Sequence, residues 1–126
     1  MRLLITLLAI FFAVIALGFW TNHKLGASTG ELIKKIDGLS EDVKNNEWPA
    51  AVKKTEGLER AWKGQASWWP MVLDHQEMDN IEFSLAKVKE YVNSNNTDLT
   101  RGQLSELREM LRHIPDNEAV TLKNIL

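Results

Sequence analysis

A chain of 126 residues has room for one domain, and the part that follows its N-terminal apolar run is a compact unit of ordinary size. Its 15 Lys and Arg against 17 Asp and Glu give a formal charge of −2, which argues against a nucleic-acid binder, because such proteins carry a basic face. The lack of cysteine excludes disulfides, Cys-linked lipid, thiolate metal sites and thiol chemistry together.

The run from Leu3 to Trp20, LLITLLAIFFAVIALGFW, contains no charge. As a helix it spans roughly 27 Å, close to the hydrocarbon thickness of a bilayer. Trp20 stands where an aromatic-belt residue meets the interface, and Thr21, Asn22, His23 and Lys24 follow in water. A cleavable signal peptide is the competing assignment. Against it, the run exceeds the usual h-region, and the best cleavage candidate, Leu25-Gly26-Ala27, lies behind His23 and Lys24. The expectation is an uncleaved anchor over residues 1–24, contacting the bilayer through residues 3–20, ahead of a helical extracytoplasmic domain over residues 28–126. Arg2 and the short N-terminal tail favour a cytoplasmic N-terminus, although Lys24, Lys34 and Lys35 partly balance that bias.

Everything after Ser28 patterns at helical period. Ser28-Thr29-Gly30-Glu31 has the form of a capping box, and Leu32, Ile36, Leu39 and Val43 follow as an apolar stripe that Asn45-Asn46 ends. A second helix is predicted from Glu47, with Pro49 in its first turn, a face of Trp48, Ala51, Val52, Thr55, Leu58 and Trp62, and Gly64 at its close. Ser67 and Pro70 are expected to open a third helix with Met71, Met78, Ile81, Leu85, Val88 and Val92 along one side. Asn93 to Asp98 form a turn. Thr100-x-x-Gln103 has the pattern of a second capping box, Leu104, Leu107, Leu111 and Ile114 make the fourth stripe, and Pro115 is expected to stop it. The tail, with Val120, Leu122, Ile125 and Leu126, is apolar enough to fold back on the rest. Short connections make neighbouring helices antiparallel, so the fold class is all-α: a transmembrane helix followed by a small antiparallel four-helix bundle of two helical hairpins. A degenerate helical repeat is the alternative, but no fixed period recurs.

The densest polar cluster is Asp74-His75-Gln76-Glu77-Met78-Asp79-Asn80-Ile81-Glu82. His75, Asp79 and Glu82 fall along one helical strip that borders the apolar stripe, with Val72, Phe83 and Ala86 on its other side, so the strip is expected to be half buried and to need partners. Counted from the Asn95-Asn96 turn, His75 is level with His113 and Glu82 with Glu109. No catalytic residue, metal or cofactor is assigned; were a metal held between helices three and four, His75, Asp79, Glu82 and His113 are the ligands this spacing offers. A hydrogen-bonded network joining helices is the plainer expectation. Trp48, Trp62, Trp68 and Trp69 crowd the second helix and the start of the third, and most are expected in the core. Trp68, Trp69 and Glu77 are the interaction candidates. Lys34-Lys35, Lys53-Lys54 and Glu56, Glu59 and Arg60 are solvated faces, and Asn95-Asn96-Thr97 fits the N-glycosylation pattern.

The N-terminal anchor, the segment Asp74 to Glu82, His113-Ile114-Pro115 and the ending Leu122-Lys123-Asn124-Ile125-Leu126 together resemble domain of unknown function family 4363 over nearly the whole chain. The resemblance implies a small membrane-anchored protein of a Gram-positive, often spore-forming bacterium, placed in the cell envelope. It supplies no catalytic residue. The expected function is therefore non-enzymatic: an anchored helical domain that docks onto a protein partner, itself a membrane protein, with no nucleic acid bound. A metal- or ligand-sensing domain built on the His/carboxylate cluster, and a glycan- or wall-binding surface using exposed Trp, are the alternatives.

Overall fold

The structure, a computed structural model, describes residues 1–71 and 73–125, with side chains up to Ile114. Four α-helices carry the described chain: α1 over Arg2–Lys44, α2 over Trp48–Ala66, α3 over His75–Asn93 and α4 over Thr97–Ile125, with a 3-10 turn at Trp69–Met71 before α3. Each packs against the two beside it, α1 against α2 and α4, α3 against α2 and α4, which makes an up-down-up-down bundle. The α1–α4 seam is the most extensive and the α2–α3 seam the least.

The expected stripes form the core. Leu32, Ile36, Leu39 and Val43 of α1 are buried against Ala51, Leu58 and Trp62 of α2, Met78, Ile81, Leu85, Val88 and Val92 of α3, and Leu104, Leu107, Leu111 and Ile114 of α4. Several buried hydroxyls inside this core are hydrogen-bonded. Thr55 Oγ1 donates to the Ala51 carbonyl at 2.8 Å, Thr100 Oγ1 donates to the Asn96 carbonyl, and Gln103 Nε2 donates to Ser84 Oγ at 2.7 Å across α3 and α4.

Both hairpins turn by the same device. Among the described residues, Asn46 and Asn95 are the two non-glycine residues at positive φ, 58° and 53°. The Asn46 N–H donates to Val43 O and the Glu47 N–H to Asp42 O; the Asn95 and Asn96 N–H groups repeat this on Val92 O and Tyr91 O. That is a Schellman close with Asn in the left-handed position, where its short polar side chain tolerates the backbone better than other non-glycine residues. Thr97 Oγ1 donates to Asn46 Oδ1 at 3.4 Å, so the two turns sit together at one end of the bundle.

Five expected boundaries are corrected. No helix starts at Ser28: α1 runs unbroken from the apolar run into the core, and the line between anchor and domain falls inside one helix. Ser28 and Thr29 are buried interior residues, and Thr29 Oγ1 donates back to the Gly26 carbonyl at 3.0 Å instead of capping a new helix. α2 continues past Gly64 to Ala66. α3 opens at His75, not at Ser67, because Asp74 is its N-cap: Asp74 Oδ1 accepts from the Glu77 N–H at 2.8 Å. α4 opens a turn before Thr100, with Asn96 Oδ1 accepting from the Leu99 N–H at 3.0 Å, and it continues through Pro115, which forfeits one backbone hydrogen bond. The contacts expected of Val120, Leu122, Ile125 and Leu126, and the place expected of Val72, lie outside the described residues. Met71, expected on the α3 stripe, is 87% exposed in the 3-10 turn.

Residues 3–20 of α1 lie on the outside of the structure, while burial of whole side chains begins at Leu25. Among the described residues α1 is the one helix long and apolar enough to cross a membrane.

Candidate functional site

The polar strip of α3 is set by which face of that helix turns inward. With Met78, Ile81 and Leu85 turned inward, His75 ends up on the outside, its side chain 92% exposed, and its imidazole meets only Asp79, at 3.5 Å one turn on. Glu82 is exposed and faces α2. His113 pairs with Glu109 on its own helix, also at 3.5 Å. The strip is therefore more exposed than its spacing suggested, and His75 and Glu82 are not brought to His113. Phe83 and Ala86 are exposed as well. Among the described residues no three His, Asp or Glu side chains are placed to hold a metal.

The side of α3 that does face α4 is Glu77, Asn80 and Ile81. With Glu106, Glu109, Met110, His113 and Ile114 they line a shallow groove of about 360 Å³. Glu77 is half-buried there, and its carboxyl is pushed above the ordinary glutamate value by burial, with the Asp74 charge adding to the shift. The sequence pattern Asp74-x-x-Glu77 was the cue that would have placed both residues at a helix start.

A larger groove, about 650 Å³, follows the α2–α3 seam. Its apolar walls are Trp62, Ala66, Leu85 and Ala86, and charge of both signs lines it at Glu59, Lys63, Glu82 and Lys89. Glu59 holds Lys63 at 3.4 Å and Lys89 at 3.5 Å, the second pair reaching across the seam. Its volume falls within the range of ligand-binding clefts.

The third feature is aromatic. Trp69 is fully buried, with its ring edge-to-face on Trp62 at 5.1 Å and on Trp68 at 6.1 Å. It plugs the end of the bundle from which α2 leaves and α3 enters, so of the three expected interaction residues, Trp68, Trp69 and Glu77, Trp69 is a core residue. Trp68 is half-buried, and its Nε1 donates to Gln65 Oε1 at 2.8 Å. Lys24 Nζ stands 4.8 Å from the Trp68 ring centroid and 5.3 Å from that of Trp20. Both distances suit cation–π attraction. Trp69 is thus closed to a ligand, while Trp68 keeps part of its ring exposed with the Lys24 ammonium beside it.

No curated protein and no solved structure matches the chain. The family model for a domain of unknown function, DUF4363, matches residues 19–125, which take in Trp20, Lys24, every helix of the bundle and both grooves; the chain belongs to that family.

Proposed function

We propose that this chain is a non-enzymatic, membrane-anchored protein of the bacterial cell envelope whose bundle, on the outer side of the membrane, docks onto another membrane protein through the α2–α3 groove. The observation that carries this is the continuity of α1. A helix that leaves the apolar run and enters the core without a linker fixes the bundle beside the bilayer, and its lateral faces then meet proteins embedded in the same plane. The groove supports the choice of face, because it follows the least extensive helix seam of the bundle and sets apolar walls beside fixed charges of both signs.

The test is site-specific photo-cross-linking in native membranes. A benzophenone side chain at Ala86, in the groove, is expected to give one discrete adduct with a membrane protein. The same group at Arg112, on α4 and away from the groove, is expected to give none, and Lys89→Glu should weaken the Ala86 adduct. Equal labelling from both positions, or substrate turnover by the purified chain, overturns the proposal.

A further inference from the structure

We propose that the connection between α2 and α3, the segment Trp68-Trp69-Pro70-Met71, is a second contact with the lipid bilayer, resting at headgroup level beside the anchor. This rests on the membrane anchoring proposed above.

The two ends of the bundle differ in chemistry. At one end the hairpin turns are Asn45-Asn46-Glu47 and Ser94-Asn95-Asn96, polar residues tied together by Thr97 and Asn46. The other end is closed by Trp, Trp, Pro and Met, of which Pro70 is exposed and Met71 is 87% exposed. A free water-facing loop has no need of such residues. Trp69, sealed under Trp62, holds the segment in place and leaves Pro70 and Met71 pointing away from the core.

Position identifies the occupant. Lys24 Nζ touches both Trp20, the last residue of the uncharged run, and Trp68, the first of this segment. The two indole rings are thus no farther apart than those two short distances laid end to end, and the segment lies level with the boundary of the anchor. Trp and Lys together at that depth match the interfacial zone of a bilayer, where an indole sits among headgroups and an ammonium reaches lipid phosphate.

The absence of cysteine allows a direct measurement. Single Met71→Cys, Phe12→Cys and Leu99→Cys variants of the full chain, all at exposed positions, are labelled with an environment-sensitive fluorophore. They are then reconstituted into phosphatidylcholine–phosphatidylglycerol vesicles containing nitroxide lipids. The Phe12 probe should be quenched best by nitroxide deep in the acyl chain. The Met71 probe should lose about half its emission to nitroxide at the headgroup or upper chain, and the Leu99 probe, at the far end of the bundle, should be unaffected. A Met71 probe that behaves like Leu99 while Phe12 is quenched overturns the inference and leaves the anchor standing. An unquenched Phe12 probe overturns both.

Discussion

Residues 3–20 and 25–43 belong to one helix, with the same backbone hydrogen bonding, and yet their side chains follow different rules. The first stretch is apolar on every face and lies outside the bundle; the second is apolar on one stripe, from Leu25 and Leu32 through Ile36, Leu39 and Val43, and that stripe is buried. Helix formation by itself says little about environment. The angular spread of apolar residues says more, because an all-round apolar helix has no face suited to water, whereas a striped one has a place only at a surface between core and solvent.

The largest expected effects test that division. Leu32→Ala should lower bundle stability by about 2–5 kcal/mol, measured by urea unfolding of the full chain in detergent, whereas Phe12→Ala, with its ring 64% exposed, should leave the midpoint unmoved. A comparable shift from Phe12→Ala would show that the apolar stretch packs on the bundle and would erase the distinction. Next comes the continuity of the helix within the second stretch. Gly30 is exposed, and a Cβ there meets nothing within 4 Å, so Gly30→Ala should stabilise the chain by about 0.5–1 kcal/mol. Gly30→Pro should cost about 3 kcal/mol because it removes an interior hydrogen bond from a continuous helix. A well-tolerated proline would mean that a helix begins at Ser28 after all, since the first turn has no such bond to lose.

Smaller effects lie outside α1, at the start of α3, and serve as its counterpart. Asp74→Ala removes the cap on the Glu77 N–H and should cost about 1 kcal/mol by the same unfolding measurement. The smallest effect is one of pH. Because the Glu77 carboxyl is held above its ordinary value, the folded chain binds that proton more tightly than the unfolded chain does. Its contribution to stability is therefore greatest in acid and falls as pH rises from the ordinary glutamate value through the raised one. Glu77→Gln should flatten that part of a melting-temperature profile taken between about pH 4 and pH 7. An unchanged profile would assign the slope to other groups.

The four apolar stripes were legible because burial imposes a period on sequence, and each stripe residue from Leu32 to Ile114, apart from Met71, lies where that period puts it. Boundaries were harder to read. Ser28 and Thr29 look like a helix start, but a hydroxyl that donates to a carbonyl in the preceding turn is equally satisfied inside a helix. Thr100 was misleading in the same way: it is fully buried and bonds back to Asn96, the true cap. The polar strip of α3 was misplaced because Met71 was counted in the stripe; with Met71 outside the helix, the inward face centres on Ile81, Leu85 and Val92, and His75 and Asp79 fall well round the helix from it. The contact of Lys24 with Trp68 depends on tertiary geometry between distant residues, and no local spacing announces it.

The unbroken α1 also has a mechanical consequence. Under the anchoring proposed above, a bundle on a flexible tether would wander independently of the segment in the bilayer, but one built on that segment's own helix moves with it as a lever. Beyond Trp20 the helix continues to Lys44. That length is roughly 35 Å, so a tilt of about 20° within the bilayer would swing the Asn46 turn sideways by roughly 12 Å. Changes in bilayer thickness or in the packing around the anchor would reach the far end of the protein as displacement, enlarged by the length of the arm.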